Sequence, residues 1–168
     1  MDEMTNYLVA ALVVGVGATA VTDLWSVLRK SLLGIAPPNF GLVGRWMAYI
    51  PRGQIRHDSI AASPPVQAER LIGWLAHYLI GIAFAGVLIV FWGLEWIARP
   101  TLMPALIVGT FTVAAPFLLM QPGMGAGIAA SRTPKPNSAR LQSLITHVIF
   151  GVGLYLAGWA AHLLGLPQ

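Results

Sequence analysis

The chain has 168 residues, of which 57% are hydrophobic and 10% are charged, and its mean hydropathy is +0.72. A soluble domain of this length needs fewer apolar residues to fill its core, so the composition excludes an ordinary soluble protein and indicates a lipid environment. The sequence contains no cysteine, which excludes disulfides, iron–sulfur clusters, thiolate zinc sites and cysteine nucleophiles.

Four apolar runs each approach the roughly 20 residues that cross a bilayer as a helix. Helices are required because lipid satisfies no backbone polar group, and the runs are too long and uniform for barrel strands. We predict an all-α membrane protein, a single transmembrane domain over residues 1–168. The predicted helices cover residues 7–28, 71–92, 102–120 and 141–164, and the two longer loops cover residues 29–70 and 121–140.

The first predicted helix carries one ionisable residue inside an apolar run. Asp23 lies six residues before Arg29, which places it roughly 9 Å inside the basic end of the helix at 1.5 Å per residue. Gly15 and Thr19 precede Asp23 at spacings of four and lie on the same helix face. Small residues let helices approach closely, so Asp23 is predicted to face protein rather than lipid.

The first long loop contains a short apolar stretch, FGLVGRWMAYI, at residues 40–50. This stretch is too short to span a bilayer, and its aromatic residues favour the membrane surface, so we predict an interfacial or re-entrant helix. The sequence PRGQIRHDSIAASPP follows and contains His57 and Asp58. These two residues are candidates for an acid/base pair, and a solvated aspartate that caps a short helix is the alternative.

The second predicted helix carries a histidine at a depth similar to that of Asp23. His77 lies seven residues beyond Arg70, or roughly 10 Å inside the membrane at the same rise per residue. Gly73 and Gly81 lie four residues before and after it on the same face. His77 is therefore predicted to face neighbouring helices.

The third predicted helix and the loop after it combine a proline, methionines and glycines. Pro116 removes a backbone donor and permits a kink beside a polar pocket, with a tolerated kink as the alternative. Met120 and Met124 are soft ligands that would favour Cu(I), although methionines usually pack. The loop QPGMGAGIAASRTPKPNSAR has glycine amides that could bind an anion together with Arg132. A simple glycine-rich turn is the alternative, and the loop lacks the ending of a nucleotide P-loop.

The fourth predicted helix repeats features of the second helix at an offset of 70 residues. This offset superposes Arg70 on Arg140 and His77 on His147, together with one leucine pair and one glycine pair. Such a repeat predicts two hairpins of equal orientation, related by a pseudo-twofold axis along the membrane normal, with the two histidines facing each other. Coincidence between two apolar segments is the alternative.

The basic residues are distributed unevenly around the four apolar runs. Nine of the ten Lys and Arg lie in or beside the two longer loops, and only Arg99 lies in the second, short loop. By the positive-inside rule, both longer loops are cytoplasmic and both termini lie outside the cytoplasm. This distribution also explains the pI of about 10, so we expect no nucleic-acid partner.

Asp23, His77 and His147 are together predicted to form one ionisable layer inside the membrane. Ionisable groups are costly in hydrocarbon, so the three residues are functional candidates by default. The layer could bind a proton, a divalent metal ion or a small polar solute, and the two histidines could instead hold a b-type haem or contact a quinone. The structural alternative is that they tie the helices together through hydrogen bonds. The partners considered for those bonds are Thr19, Thr22, Thr146 and Trp74.

Six motifs spread over residues 12–158 carry a family resemblance. They are GATAVTDLW, GLVGRW, PRGQIRHDSIAASPPV, GWLAHYLIGIAF, PFLLMQPGMGAGIAASRTPKPNSARL and THVIFGVGLYLAG. Together they resemble a bacterial inner-membrane family that is catalogued only as a domain of unknown function. The resemblance implies a bacterial source, the cytoplasmic membrane and a small four-helix protein, and it implies no activity for any residue.

Three functional hypotheses follow, and a binding or transport role is favoured over an enzyme. The first is a small membrane-embedded binding or transport protein that uses the ionisable layer. It would act as a homo-oligomer in the bilayer, because four helices are few to enclose a path. The second is a redox module with haem or quinone at His77 and His147. The third is an enzyme at the membrane interface that uses His57, Asp58 and Arg132 on an anionic or lipid headgroup.

Overall fold

A computed structural model describes residues 2–166 of the chain. Within that range the fold is helical and contains no strand, which confirms the predicted all-α class. Single 3-10 turns lie at Ile50–Arg52, Ile60–Ala62 and Ile128–Ala130. The helices are α1 (Glu3–Leu33), α2 (Phe40–Tyr49), α3 (Glu69–Trp92), α4 (Glu95–Ala98), α5 (Leu102–Phe111), α6 (Gln121–Gly123) and α7 (Pro136–Leu163).

Four helical segments are long and apolar enough to cross a membrane, which identifies a protein of the multi-pass membrane type. They overlap the four predicted runs, and their ends differ from the predicted ends by up to five residues. The longest is α1, because Asp2 caps its first turn by accepting from the Thr5 backbone N–H at 2.8 Å, and Gly34 closes its last turn with a φ of 66°. The four segments are Glu3–Leu33, Glu69–Trp92, Leu102–Gly123 and Pro136–Leu163.

The third of these segments changes helix type at its proline, as the sequence predicted for an interruption at Pro116. Residues Pro116–Met120 form a π-helical turn between α5 and α6. Pro116 has no N–H to donate to the carbonyl of Thr112, so the regular hydrogen-bond ladder is lost at this position. The ladder resumes where the Phe117 N–H donates to the Val113 carbonyl at 3.1 Å. Single π-helical turns of this kind often occur at functional sites.

The chain divides into two compact units, which are described separately. Unit 1 comprises Met1–Pro37, Tyr78–Thr112 and Thr146–Gln168, and unit 2 comprises Pro38–His77 and Val113–Ile145. Helices α3 and α7 contribute residues to both units. The single transmembrane domain over residues 1–168 stays a prediction.

Unit 1 has a buried core of small and aliphatic side chains contributed by α1, α3, α4, α5 and α7. Two phenylalanine rings, Phe84 and Phe150, meet edge to face there with centroids 6.1 Å apart. Lipid is as apolar as these side chains, so close packing rather than the hydrophobic effect holds the helices together. Fully buried members of this core are Ala10, Val14, Ala18, Ala85, Leu88, Ile97, Ala105, Leu154 and Ala161.

Glycines bring α1 and α3 into backbone contact within unit 1. A Cβ atom at Gly15 would overlap the backbone of Ile82, and one at Gly81 would overlap Oγ1 of Thr19. Thr19 is buried and donates its hydroxyl to the Gly15 carbonyl at 2.8 Å. The face of the first helix that was predicted to pack therefore faces α3.

Helices α5 and α7 meet in the same way. A Cβ atom at Gly109 would overlap Gly151, and the hydroxyl of Thr112 donates to the Gly109 carbonyl at 2.6 Å. At both contacts a glycine of one helix lies against a glycine of the other helix. In each case a threonine three or four residues after the first glycine donates its hydroxyl to the carbonyl of that glycine. This similarity favours the two-hairpin repeat, which stays a prediction.

Unit 2 contains the short helix that the sequence predicted in the first loop. Asn39 begins α2 by accepting from the backbone N–H of Gly41 at 3.0 Å. Helix α2 then packs on the first turns of α3, because a Cβ atom at Gly44 would overlap the Glu69 carbonyl and one at Gly73 would overlap the Phe40 carbonyl. The helix is confirmed, and its position at the membrane interface is a proposal.

Candidate functional site

Asp23 is hydrogen-bonded to a tyrosine of the next long helix. The Tyr78 hydroxyl donates to Oδ2 of Asp23 at 2.9 Å, and both side chains are partly buried in unit 1. The threonines considered as partners bond within their own helix, Thr19 to the Gly15 carbonyl and Thr22 to a carbonyl one turn earlier. Sequence reasoning missed Tyr78 because it followed only spacings of four from Gly73 and Gly81, whereas Tyr78 lies three residues before Gly81, a spacing that also places residues on one helix face.

His147 is hydrogen-bonded to Thr112, the residue that directly follows α5. Nδ1 of His147 lies 3.0 Å from Oγ1 of Thr112. The Thr112 hydroxyl proton is directed to the Gly109 carbonyl at 2.6 Å, so Oγ1 is the acceptor and Nδ1 of the neutral imidazole carries the hydrogen. This assignment makes Nε2 of His147 the nitrogen that can take up a proton.

His77 lies among aromatic rings in unit 2. Its ring centroid is 4.3 Å from that of Phe40 and 5.8 Å from that of Trp74. Phe40 reaches this position because α2 begins there and contacts α3 at Gly73. These contacts join the His77 ring to α2 within unit 2.

The predicted ionisable layer is divided between the two units. Asp23 and His147 belong to unit 1 and His77 to unit 2, so their shared depth stays a prediction. Residues 2–166 contain no group of three or more His, Cys, Asp or Glu that could hold a metal ion. The geometry thus adds no support for a metal ion at these residues, for Cu(I) at Met120 and Met124, or for haem.

The candidate residues of the first loop meet the glycine turn of the third loop. The backbone N–H of His57 donates to the Gly123 carbonyl at 2.9 Å, and the N–H of Ile60 donates to the Met124 carbonyl at 3.1 Å. The His57 ring bonds Ser63, with Nδ1 and Oγ 3.0 Å apart, while the neighbouring Asp58 is exposed. The structure therefore brings His57 to the glycine turn of the third loop and adds Ser63 as the partner of its ring.

Arg45 is a buried centre of unit 2 that sequence reasoning did not single out. Its Nε and Nη2 donate to the two carboxylate oxygens of Glu69 at 2.8 and 2.9 Å, and Nη1 donates to the Ser63 carbonyl at 2.8 Å. Nη1 also lies within hydrogen-bond distance of the carbonyls of Ile60 and Ala61, at 3.3 and 3.4 Å. The Glu69 carboxylate raises the pKa of Arg45 through these bonds. Arg45 thereby ties α2, the turn at residues 60–62 and the start of α3 into one unit.

The third loop is strained directly after its glycines. Ala129 and Ala130 have left-handed backbone angles, with φ of 46° and 58°, which costs an alanine roughly 1–2 kcal/mol. The carbonyls of both residues accept hydrogen bonds from side chains. Arg140 donates to the Ala129 carbonyl and Thr133 donates to the Ala130 carbonyl, each at 2.8 Å. The side chain of Arg132 is exposed beside this stretch.

Comparison with known proteins identifies one family. A family model described as "Protein of unknown function (DUF2938)" matches residues 12–161, which is most of the chain. The match includes the intramembrane candidates, the loop residues and Arg45. No curated protein and no solved structure matches the chain. The predicted resemblance to a family catalogued as a domain of unknown function is therefore confirmed.

Proposed function

The chain belongs to the DUF2938 family, and we propose that it is a multi-pass protein of the bacterial inner membrane that binds and transfers protons within the bilayer. The observation that carries this proposal is the 2.9 Å hydrogen bond between Tyr78 and Asp23, inside two helices long enough to span a membrane. The nine-to-one distribution of basic residues supports an orientation with both termini outside the cytoplasm.

A hydroxyl partner suits a group that gains and loses a proton. The Tyr78 hydroxyl donates to Asp23 while the carboxylate is charged, and its oxygen can accept a bond once the carboxyl group is protonated. The pair of Thr112 and His147 has the same property, with Nε2 of the histidine as the basic site. A proton needs one basic atom at a time, whereas a metal ion needs several ligands around it, so these pairs favour proton transfer.

His77 belongs to unit 2 and is a separate candidate for proton binding. The Phe40 ring packs against its imidazole, with the two ring centroids 4.3 Å apart. A homo-oligomer remains part of the proposal, since four helices are few to enclose a polar path through the membrane. A small polar solute moved together with the proton would use the same residues.

Proton entry into liposomes tests the proposal. The purified protein is reconstituted with a pH-sensitive dye inside the vesicles, and a potassium gradient with valinomycin supplies a membrane potential. We expect Asp23→Asn to slow dye acidification about tenfold, equivalent to roughly 1.4 kcal/mol in the barrier. Tyr78→Phe, which removes only the hydroxyl, should slow it by a smaller factor.

Matched variants separate transfer from structure. Glu95→Gln removes an exposed carboxylate between two spans and Tyr155→Phe removes another tyrosine hydroxyl, so both should leave the rate unchanged. If the parent protein acidifies vesicles no faster than empty liposomes do, the proposal is wrong. A loss of about 1 kcal/mol of stability in Tyr78→Phe with an unchanged rate would make the bond purely structural.

A second candidate, an enzyme at the membrane interface, is favoured by one observation. Nδ1 of His57 lies 3.0 Å from Oγ of Ser63, within reach for a base and a nucleophile. It ranks second because Nε2 of His57 is buried and has no hydrogen-bond partner among residues 2–166, where a carboxylate would orient a catalytic histidine. Labelling by a fluorophosphonate that is lost in Ser63→Ala but kept in Ser59→Ala would support it, and no labelling of the folded parent would refute it.

A further inference from the structure

The charges of the chain are concentrated in unit 2. Unit 2 contains seven Lys and Arg against two Asp and Glu, whereas unit 1 contains three against four. Arg45 and Glu69 form a buried pair, so the rest of unit 2 has six basic residues against Asp58 alone. All six are exposed: Arg52, Arg56, Arg70, Arg132, Lys135 and Arg140.

The two loops that carry these cations form one connected surface. Arg56 precedes His57, whose N–H donates to the Gly123 carbonyl at 2.9 Å, and Ile60 is bonded to Met124 in the same way at 3.1 Å. Backbone bonds therefore join the two loops directly. The cations are displayed by a fixed backbone rather than by two independent loops.

The helices locate these cations at the edge of the hydrocarbon region. Arg70 and Arg140 lie in the first turns of α3 and α7, and both helices are long and apolar enough to cross a membrane. A cation at the start of a spanning helix extends to the headgroup level, where lipid phosphates are found. After α2, the guanidinium of the exposed Arg52 lies 5.3 Å from the ring centroid of Tyr49, which is itself buried in unit 2.

We propose that this surface of unit 2 binds the headgroups of anionic phospholipids. The partner is a lipid rather than a nucleic acid, because Arg70 and Arg140 belong to helices that enter the membrane. Each basic residue near an anionic membrane surface adds roughly fivefold to binding. Arg45 takes no part, since Glu69 and three carbonyls already accept its hydrogen bonds. This proposal does not depend on proton transfer, and either proposal can be refuted without affecting the other.

Quenching of tryptophan fluorescence by brominated lipids tests the proposal. Purified full-length protein in micelles of a zwitterionic detergent is titrated with brominated phosphatidylglycerol or, in parallel, brominated phosphatidylcholine. We expect saturable quenching by phosphatidylglycerol at much lower lipid fractions, weakened by salt. Arg132→Gln should weaken it about fivefold and Arg56→Gln with Arg132→Gln roughly 25-fold. Arg99→Gln, which removes an exposed cation of unit 1, should leave it unchanged.

Three results would overturn the proposal. Equal quenching by the two lipids would show that the surface does not distinguish headgroup charge. Phosphatidylglycerol binding that is unchanged in the double variant would show that Arg56 and Arg132 are not involved. Full competition by millimolar inorganic phosphate would identify a site for the free anion instead of a lipid surface. Circular dichroism of each variant checks that the helices remain folded.

Discussion

The two units share glycine contacts between helices and differ in their use of buried polar groups. In unit 1, helices touch where side chains are missing, as at Gly15 against Ile82 and at Gly109 against Gly151. In unit 2, the buried Arg45 supplies hydrogen bonds to a carboxylate and to loop carbonyls. Unit 2 thus adds satisfied polar groups to the kind of glycine contact that both units share.

The difference follows from what each unit has to bury. The backbone of a spanning helix satisfies its own hydrogen bonds, so only packing remains to join it to a neighbour. Loops have carbonyls without partners, and burying them is costly unless donors are supplied. A guanidinium has five N–H donors in a fixed plane, and Arg45 uses them on Glu69 and on the loop at residues 60–63.

The largest expected effect lies in unit 1, at a glycine that admits a neighbouring backbone. Gly15→Ala would place a methyl group inside the backbone of Ile82, and backbone cannot move aside as a side chain can. We expect a loss of about 3 kcal/mol in unfolding free energy, measured by denaturant titration in detergent. In Gly86→Ala, the matched control, the nearest atom is Cβ of Ala11 at 3.9 Å, and stability should stay equal or rise slightly. Equal losses in both variants would contradict packing by shape.

A smaller loss is expected when the polar centre of unit 2 is removed. Arg45→Met keeps the length of the side chain but leaves Glu69 and the loop carbonyls without their donor. The thermal midpoint in detergent should fall by several degrees. Arg52→Met, which removes an exposed arginine seven residues later, should change it little.

A double-mutant cycle sharpens this second test. If Arg45 and Glu69 act as one unit, Arg45→Met with Glu69→Gln should lower the midpoint by less than the sum of the two single changes. Additive changes would show that Arg45 stabilises unit 2 through the carbonyls alone. If Arg45→Met does not lower the thermal midpoint, the buried arginine does not stabilise unit 2 and the two units do not differ in this respect.

The smallest effect is a gain at the strained loop of unit 2. Ala129→Gly relieves the left-handed conformation at φ 46° and should raise the unfolding free energy by about 1 kcal/mol. Ala126→Gly, in the same loop but without a positive φ, should give no gain. Denaturant titration of both proteins measures the difference. A gain in both variants would mean that added flexibility, rather than relief of strain, is responsible.

The spanning helices were predictable because their signal is local. Each apolar run differs from its flanks in composition, and hydrocarbon thickness sets its length. The glycines at positions 15, 81 and 151 could also be recognised, because spacings of four place them on one helix face. The helix of residues 40–49 followed from its short apolar run and its aromatic residues. The extra turns of α1 depend on caps at Asp2 and Gly34, which shift helix ends by a few residues.

The polar contacts were not predictable, because their partners are distant in sequence. Tyr78 lies 55 residues from Asp23, Thr112 lies 35 from His147, and Glu69 lies 24 from Arg45. A single sequence indicates that an ionisable residue needs a partner but not which hydroxyl or carboxylate provides it. The three intramembrane candidates could be named for that reason, while the partners of Asp23 and the role of Arg45 could not.

The backbone bond from His57 to Gly123 also fixes an order of events during synthesis. The two residues are 66 positions apart, so a ribosome adding about 5–20 residues per second makes Gly123 roughly 3 to 13 seconds after His57. Arg45 meets Glu69 after only 24 residues, within about 5 seconds at the slowest of these rates. The segment from Arg45 to Glu69 can therefore close while the third spanning helix is still being made. The segment around His57 must wait, without its backbone partner, until Gly123 has been made.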